Sequence, residues 1–117
     1  METVSILLRR PPYGSTDAAE AVRHALGGVT NDFVVNLVLV DGGIHAARKQ
    51  QDVSSTVYSS IGSEIADCID MGVSVYVDGA SAAAMKLPSA DIIDGVVIES
   101  PEKLAEVLRN SDTVMIF

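Results

Sequence analysis

The sequence predicts an α/β fold: a three-layer α/β/α sandwich around a mainly parallel five-stranded sheet. Short apolar segments alternate with amphipathic helical segments along the 117 residues, as is typical of right-handed parallel crossovers. Residues 33–40 are apolar at nearly every position, as expected for a strand covered on both faces. Trp is absent although hydrophobic residues make up 48% of the chain, so the core should be aliphatic. Because no linker or repeat is visible, we expect one domain over residues 1–117.

The amino-terminal part should form a strand and a helix. A β-branched and aliphatic run predicts a strand over residues 3–9, which the prolines and glycine of residues 11–14 end. Candidate N-caps for the following helix are Ser15, Thr16 and Asp17. Asp17 and Glu20 have the spacing of a capping box, and Gly27-Gly28 should end the helix.

The middle of the chain should supply the central strand and a second helix. Residues 33–40 form the strand, and Asp41-Gly42-Gly43 should turn the chain away from it. Apolar residues then recur at four-residue spacing and predict an amphipathic helix over residues 55–71, closed by Gly72.

Three further strands are expected, over residues 73–77, 96–98 and 113–117. Between the first two, residues 80–94 suit a short helix followed by a loop, with a break at Pro88. Ser100 as N-cap and Pro101 at the first helical position predict the last helix.

Charge and cysteine content argue against a nucleic-acid-binding, membrane or secreted protein. Eight basic and sixteen acidic side chains give a net charge of −8, which would repel nucleic-acid phosphates and anionic lipid. The apolar runs are too short to span a bilayer, and residues 1–3 lack the features of a signal peptide. With a single cysteine no internal disulfide is possible, so we expect a cytoplasmic protein without nucleic-acid or membrane partners.

Ligands of parallel sheets bind beyond the carboxyl ends of the strands. Asp41 and Asp78 should both lie there, with Ser81 close by. Two carboxylates at one edge could bind a divalent cation or act as an acid/base pair. Asp before Gly at a strand end is more often a turn former or a helix cap, and both interpretations stay open.

The loop after the first strand is locally basic and carries an aromatic ring. Arg9, Arg10 and Tyr13 lie near the expected start of the first helix, where an anion or a partner's carboxylate could bind. The alternative is a solvated loop whose tyrosine packs against a neighbour. Arg10 and Tyr13 therefore join Asp41, Asp78 and Ser81 as candidate pocket residues.

The remaining reactive side chains predict little chemistry. Cys68 lies on or near the apolar face in the last turn of its helix, where the dipole and nearby acidic residues oppose a thiolate, so it should be buried and inert. His24 should be a solvated surface residue, and His45 could line the pocket. Two histidines without a cysteine partner do not predict a zinc site. Because nucleotide-binding and serine-hydrolase motifs are also lacking, we expect no metal and no cofactor.

Six segments together resemble one known family. They are residues 8–16, 21–26, 40–44, 72–81, 94–98 and 111–117. In this order they resemble the DsrE/DsrF-like family of small sulfur-relay proteins, whose relatives include the TusB, TusC and TusD subunits. The resemblance implies an α/β/α protein of the cytoplasm that assembles as a homo- or hetero-oligomer with DsrE-like subunits.

The resemblance also bears on activity. Active members carry sulfur as a persulfide on a cysteine just after the third strand, in the loop that residues 78–81 occupy here. Asp78 stands about where that thiol would be, and Ser81 where some relatives have a second cysteine. The resemblance therefore implies an accessory or scaffolding subunit of the DsrF/TusC type, which is not itself an enzyme. The alternative is a small enzyme or a metal- or anion-binding protein that uses Asp41, Asp78 and Ser81.

Overall fold

The computed structural model describes residues 2–54, 56 and 60–117, and within them one parallel sheet has five strands. The strands are β1 (Thr3–Leu8), β2 (Val34–Leu39), β3 (Ser74–Asp78), β4 (Val97–Glu99) and β5 (Thr113–Ile116). Their spatial order is β4-β3-β2-β1-β5, and neighbouring strands all run parallel. This arrangement confirms the predicted fold class.

Four α-helices lie in the described residues: α1 (Asp17–Thr30), α2 (Ile61–Asp70), α3 (Gly79–Ala84) and α4 (Pro101–Arg109). Two 3₁₀ segments, Asp41–Ala47 and Ser89–Asp91, connect them to the sheet. From β1 to β4, each strand is added on the same side of the one before it. The chain then crosses back over the sheet and adds β5 on the other side of β1. Right-handed crossovers therefore place α1 and α2 on one face and α4 on the other. None of the helices described is long and apolar enough to cross a membrane.

The two faces of the sheet are covered unequally. Ile6, Leu37 and Val77 point towards α1 and α2 and are fully buried; burial of such a side chain stabilises the fold by about 1.5–3 kcal/mol. On the other face, which we call the α4 face, Leu7 and Val38 pack against α4, but residues further from the helix remain exposed. Four valine or isoleucine side chains on this face are more than 40% exposed: Val34, Val97, Val114 and Ile116. The α4 face is therefore only partly covered.

A buried polar cluster on the α4 face ties the segment just before β5 to β1. Ser5 is fully buried, and its hydroxyl donates to Ser111 Oγ at 2.5 Å while accepting from Asn36 Nδ2 at 3.2 Å. The Ser111 hydroxyl donates in turn to Val107 O at the end of α4, at 2.8 Å. The cluster satisfies Ser5 at a depth where an unpaired hydroxyl would be costly.

The predicted end of α1 is wrong. The helix runs through Gly27-Gly28 to Thr30, and Asp32, with φ of 65°, supplies the left-handed turn that glycine was expected to supply. Gly28 serves close packing instead, because a Cβ there would lie 2.8 Å from Val35 Cγ2.

The predicted capping box of α1 is also absent. Thr16 is the N-cap and makes no side-chain hydrogen bond to the helix. Asp17 forms an ion pair with Arg10, and Glu20 forms one with Arg23. Both carboxylates are thus held in ion pairs with arginines.

Two other boundaries differ from the sequence-based expectation. α2 begins at Ile61, where Ser60 Oγ accepts the Ser63 N–H at 3.3 Å; residues 55 and 57–59, in the predicted first part of this helix, lie outside the described residues. The turn expected at residues 41–43 extends into the 3₁₀ segment Asp41–Ala47. By contrast, the predicted cap of α4 is confirmed, since Ser100 Oγ accepts the Lys103 N–H at 3.2 Å.

Candidate functional site

Three of the five candidate pocket residues lie together at the carboxyl edge of the sheet. Asp41 follows β2, Asp78 ends β3 and Ser81 lies in α3. Asp41 N–H donates to Ser81 Oγ at 2.9 Å, and the Ser81 hydroxyl donates to Asp78 Oδ2 at 2.6 Å. We call this chain of hydrogen bonds the Asp78 cluster. It joins the ends of two neighbouring strands through one nearly buried hydroxyl, since Ser81 is 7% exposed.

Asp78 has a clear structural role in this cluster. It is the N-cap of α3, and its Oδ1 accepts the Ala80 N–H at 3.2 Å. Both carboxylate oxygens are thus engaged by donors of the chain itself. Of the two interpretations of an Asp-Gly pair at a strand end, the helix cap accounts for the geometry of Asp78.

Asp41 contributes its main chain to the cluster. Its backbone is left-handed, with φ of 49°, a conformation that Asp tolerates better than most residues. The following chain is pressed against β1, because a Cβ on Gly43 would lie 2.2 Å from Leu8 O. The contact between Asp41 and Ser81 is therefore set by backbone geometry, and the exposed Asp41 carboxylate is not the group that meets Asp78.

Arg10 and Tyr13 lie in one loop but have different partners. Arg10 Nε lies 3.0 Å from Asp17 Oδ2 in an exposed ion pair. The Tyr13 hydroxyl donates to Gln51 Oε1 at 2.5 Å and accepts the Ile61 N–H at 3.2 Å, at the start of α2. Both side chains thus have partners within the chain.

Gln51 also contributes to the contacts around Tyr13, and the sequence did not identify it as a candidate residue. Its Oε1 also accepts the Gly62 N–H at 3.2 Å, and its Nε2 donates to Ala46 O and Arg48 O at 2.9 Å each. With Tyr13 it pairs two of the N–H groups that a helix leaves free at its first turn. The signal was weak, because one glutamine in a polar stretch has no distinguishing pattern.

Cys68 is buried, and its surroundings disfavour the reactive thiolate, as predicted. It is fully inaccessible to solvent. Burial, followed by the negative charges of Asp67 and Glu64, raises the pKa of its thiol from the ordinary 9.0 to about 11. Since the thiolate is the reactive form, this environment suppresses nucleophilic sulfur chemistry.

The histidines lie outside the Asp78 cluster. His24 was expected in solvent, but it is partly buried: its Nδ1 lies 2.7 Å from Glu20 O and its ring 5.3 Å from that of Phe117. His45 lies in the 3₁₀ segment, where its buried Nδ1 has no hydrogen-bond partner in the described structure. Burial, and then the charge of Arg48, lower the pKa of His45. Within residues 2–54, 56 and 60–117, no group of three or more His, Cys, Asp or Glu side chains is placed to hold a metal ion.

A narrow apolar slot opens beside the Asp78 cluster. It has a volume of about 210 Å³ and lies between α4 and the sheet. Leu7, Val38, Leu104 and Asp78 are among its lining residues. A larger cavity of about 360 Å³ lies at the start of α2, beside Arg48 and Lys49. Of the five candidate pocket residues, Asp78 lines the slot.

Comparison with known proteins identifies the family that the sequence matches and solved structures with a similar fold. The profile of the DsrE/DsrF-like family matches residues 2–117. The uncharacterized protein MJ0989 of Methanocaldococcus jannaschii is 28% identical over 114 residues, 97% of each chain. The crystal structure of the ychN protein from E. coli superimposes with a TM-score of 0.89 at 22% identity and full coverage of both chains. The protein MTH1491 of Methanobacterium thermoautotrophicum, of unknown function, gives a TM-score of 0.73 at 11% identity, covering 98% of this chain and 99% of its own.

Proposed function

The chain belongs to the DsrE/DsrF-like family, and on that premise we propose that it is a subunit of a sulfur relay that binds partners without carrying sulfur itself. One observation supports this above all. Asp78 occupies the end of β3, about where the resemblance places the carrier cysteine, and both of its carboxylate oxygens hold hydrogen bonds.

The chemistry of sulfur transfer explains why this residue matters. The acceptor's thiolate attacks the outer sulfur of a donor persulfide; a new S–S bond forms on the acceptor, the donor S–S bond breaks, and the donor leaves as a thiolate. A carboxylate or hydroxyl at the same place forms no persulfide. Neither Asp78 nor Ser81 therefore serves as an acceptor.

Cys68 does not replace the missing thiol. It is fully buried, and a pKa of about 11 leaves very little thiolate at neutral pH. A donor persulfide would have to enter the core between α2 and the sheet to reach it. The role left to this chain is to bind other subunits, as a homo-oligomer or together with DsrE-like subunits, in the cytoplasm. The exposed apolar side chains of the α4 face are compatible with such contacts.

A sulfur-loading assay tests the proposal. The purified protein is incubated with a cysteine desulfurase and radiolabelled cysteine, and protein-bound sulfur is measured before and after reduction. Wild type and Cys68→Ser should both stay unlabelled. Asp78→Cys places a thiol at the end of β3 and serves as the positive control. Reducible label on the wild-type protein that disappears in Cys68→Ser would refute the proposal.

A second experiment addresses the partners. Affinity purification of the tagged protein from its native cell should recover a DsrE-like subunit that has a cysteine after its third strand. Recovery of the chain without any such subunit, under conditions that preserve complexes, would argue against a role in a relay.

The alternative function uses the same residues in another way. Because Asp78 borders the 210 Å³ slot, a cation or a small amine could bind there as a ligand or substrate. Such a ligand would raise the unfolding temperature of the wild type and not of Asp78→Ala. Unchanged unfolding temperatures across a panel of divalent metals and amines would leave this alternative without support.

A further inference from the structure

A groove of about 400 Å³ runs between the second half of α1 and the strands β1 and β5. Arg23, Gly27 and Asn31, spaced one helical turn apart, lie on its α1 side. Val4 and Met115 line it from the strands. None of the five candidate pocket residues lines this cavity, which we call the α1 groove. Its volume lies in the range of roughly 300–1,000 Å³ that is usual for small-molecule sites.

Gly27 leaves the middle of the α1 groove open. Glycine is less favourable than alanine inside a helix, and packing within the chain does not require this one, because a Cβ on Gly27 would meet nothing within 4 Å. The neighbouring Gly28, by contrast, is required by its contact with Val35. A larger side chain at position 27 would extend into the open space of the groove. A ligand in that space would explain why the helix has glycine there.

The apolar side chains of the groove suit a flat ring. Phe33 lines it and is 38% exposed, although phenylalanine is among the residues most often buried. His24 contributes a second ring, whose centroid lies 5.3 Å from that of Phe117. Met115 adds a thioether, which packs favourably against aromatic rings. An aromatic ligand would therefore contact two rings and a sulfur atom.

The polar groups that line the groove are mainly hydrogen-bond acceptors. His24 Nδ1 lies 2.7 Å from Glu20 O, which can only accept, so Nδ1 carries the proton of the neutral ring and Nε2 is left as an acceptor. Asn31 Nδ2 donates to Gly27 O at 2.8 Å, which leaves the Asn31 Oδ1 atom as an acceptor. Glu2 adds a carboxylate that forms no ion pair within the described residues. A ligand with N–H donors fits this set.

The charges around the groove favour a cation. The groove lies along the last turns of α1, where the helix dipole is negative. Arg23 is the only lysine or arginine among the described residues that line it, and Glu20 Oε2 lies 2.6 Å from its guanidinium group and offsets its charge. The Glu2 carboxylate therefore remains available to a positively charged group of a ligand.

We propose that the α1 groove binds a small aromatic amine, with its ring over Gly27 beside Phe33 and Met115 and its ammonium group towards Glu2. The ring covers the apolar side chains, and the ammonium group donates to the acceptors at the side of the groove. The ligand class follows from charge complementarity with Glu2 and the end of α1. This binding depends neither on the role in sulfur relay nor on the slot beside Asp78.

An NMR titration with tryptamine, a fused aromatic ring system with an ammonium group, tests the proposal. The amide signals of Gly27 and Phe33 should shift and saturate, with a Kd of about 1 mM or tighter. The signal of Leu104 should stay unchanged, which distinguishes the α1 groove from the slot beside Asp78. Indole-3-propionate has the same ring system with a carboxylate, and it should bind at least about fivefold more weakly because Glu2 repels it.

Substitutions in the groove test its occupancy. Gly27→Leu places a side chain in the open space and should weaken tryptamine binding at least about tenfold; leucine favours the helix, so the variant should fold. Glu2→Gln should weaken binding about two- to fivefold, and it keeps the test valid should Gly27→Leu fail to fold. Glu102→Gln is the matched control, because it makes the same change of charge at an exposed position of α4; it should leave the Kd unchanged. Circular dichroism checks the fold of each variant.

Several outcomes would contradict the proposal. Absence of saturable shifts, shifts confined to the slot beside Asp78, or a folded Gly27→Leu variant that binds tryptamine as the wild type does would overturn it. Indole-3-propionate that binds as tightly as tryptamine would refute the choice of an amine. Groove signals that move with protein concentration alone would identify a second copy as the occupant and would also count against the proposal. None of these results changes the expected outcome of the sulfur-loading assay.

Discussion

Substitution of Asp78 by alanine should destabilise the fold through loss of the Asp78 cluster. The variant loses the cap on the Ala80 N–H and the acceptor of the Ser81 hydroxyl. Ser81 would still accept the Asp41 N–H, but its own proton would have no partner in a nearly buried position. The change therefore affects one helix end and the contact between two strand ends.

The size of the effect follows from these two losses. An N-cap replaced by alanine costs about 1 kcal/mol, and a hydrogen bond to a charged group is worth about 1.5–3 kcal/mol. Water recovers part of the hydrogen-bond energy that the Ser81 hydroxyl loses, since the position of Asp78 is partly exposed. We expect a loss of about 2–3 kcal/mol in the free energy of unfolding and a fall of about 10 °C in Tm.

Urea denaturation with matched variants checks this value. Asp78→Asn retains an acceptor for the Ala80 N–H and should cost less than about 1 kcal/mol. Asp94→Ala removes a carboxylate that is 99% exposed and should change stability by less than about 0.5 kcal/mol. In a double-mutant cycle with Ser81→Ala, the coupling should be at least about 0.5 kcal/mol. An Asp78→Ala variant as stable as Asp94→Ala, with no coupling to Ser81, would refute the reasoning.

Four further substitutions test other parts of the structure. Between about pH 9 and pH 11 the unfolded Cys68 thiol loses its proton while the folded thiol keeps it, so stability should fall with rising pH; Cys68→Ala should remove that part of the fall in urea titrations at each pH. Tyr13→Phe leaves the Ile61 N–H without its partner and should cost about 1–2 kcal/mol by urea denaturation; an unchanged midpoint would contradict the role of Tyr13. Gly43→Ala places a Cβ 2.2 Å from Leu8 O and should destabilise by more than about 3 kcal/mol in thermal melts. Gly27→Ala, which meets nothing within 4 Å inside α1, should instead stabilise by about 0.5–1 kcal/mol.

The strands could be predicted because their apolar pattern reflects burial directly. Residues 33–40 are apolar at every position but one because β2 lies at the centre of the sheet. The helix ends were predicted less well. Glycine at positions 27 and 28 indicated a stop, but Gly28 is required by its contact with Val35, and Asp32 makes the left-handed turn. A glycine needed for packing and one needed for a turn look alike in sequence.

The candidate site was predicted in part for a similar reason. Asp41, Asp78 and Ser81 could be placed together because the strand ends of a parallel sheet share one edge. That Asp41 contributes its N–H and Asp78 a helix cap depends on local dihedral angles that composition does not determine. The partnership of Tyr13 with Gln51 spans 38 residues and could be found only in three dimensions.

The buried hydroxyl of Ser5 influences the register in which β5 pairs with β1. Were β5 to slide along β1 by two residues, side chains would still alternate correctly between the faces, but Ser5 would lose Ser111 as its acceptor. A slipped sheet would thus contain an unsatisfied polar group in a dry position, which costs about 1–3 kcal/mol. One serine pair thereby penalises misaligned pairing of the last strand and favours the observed alignment.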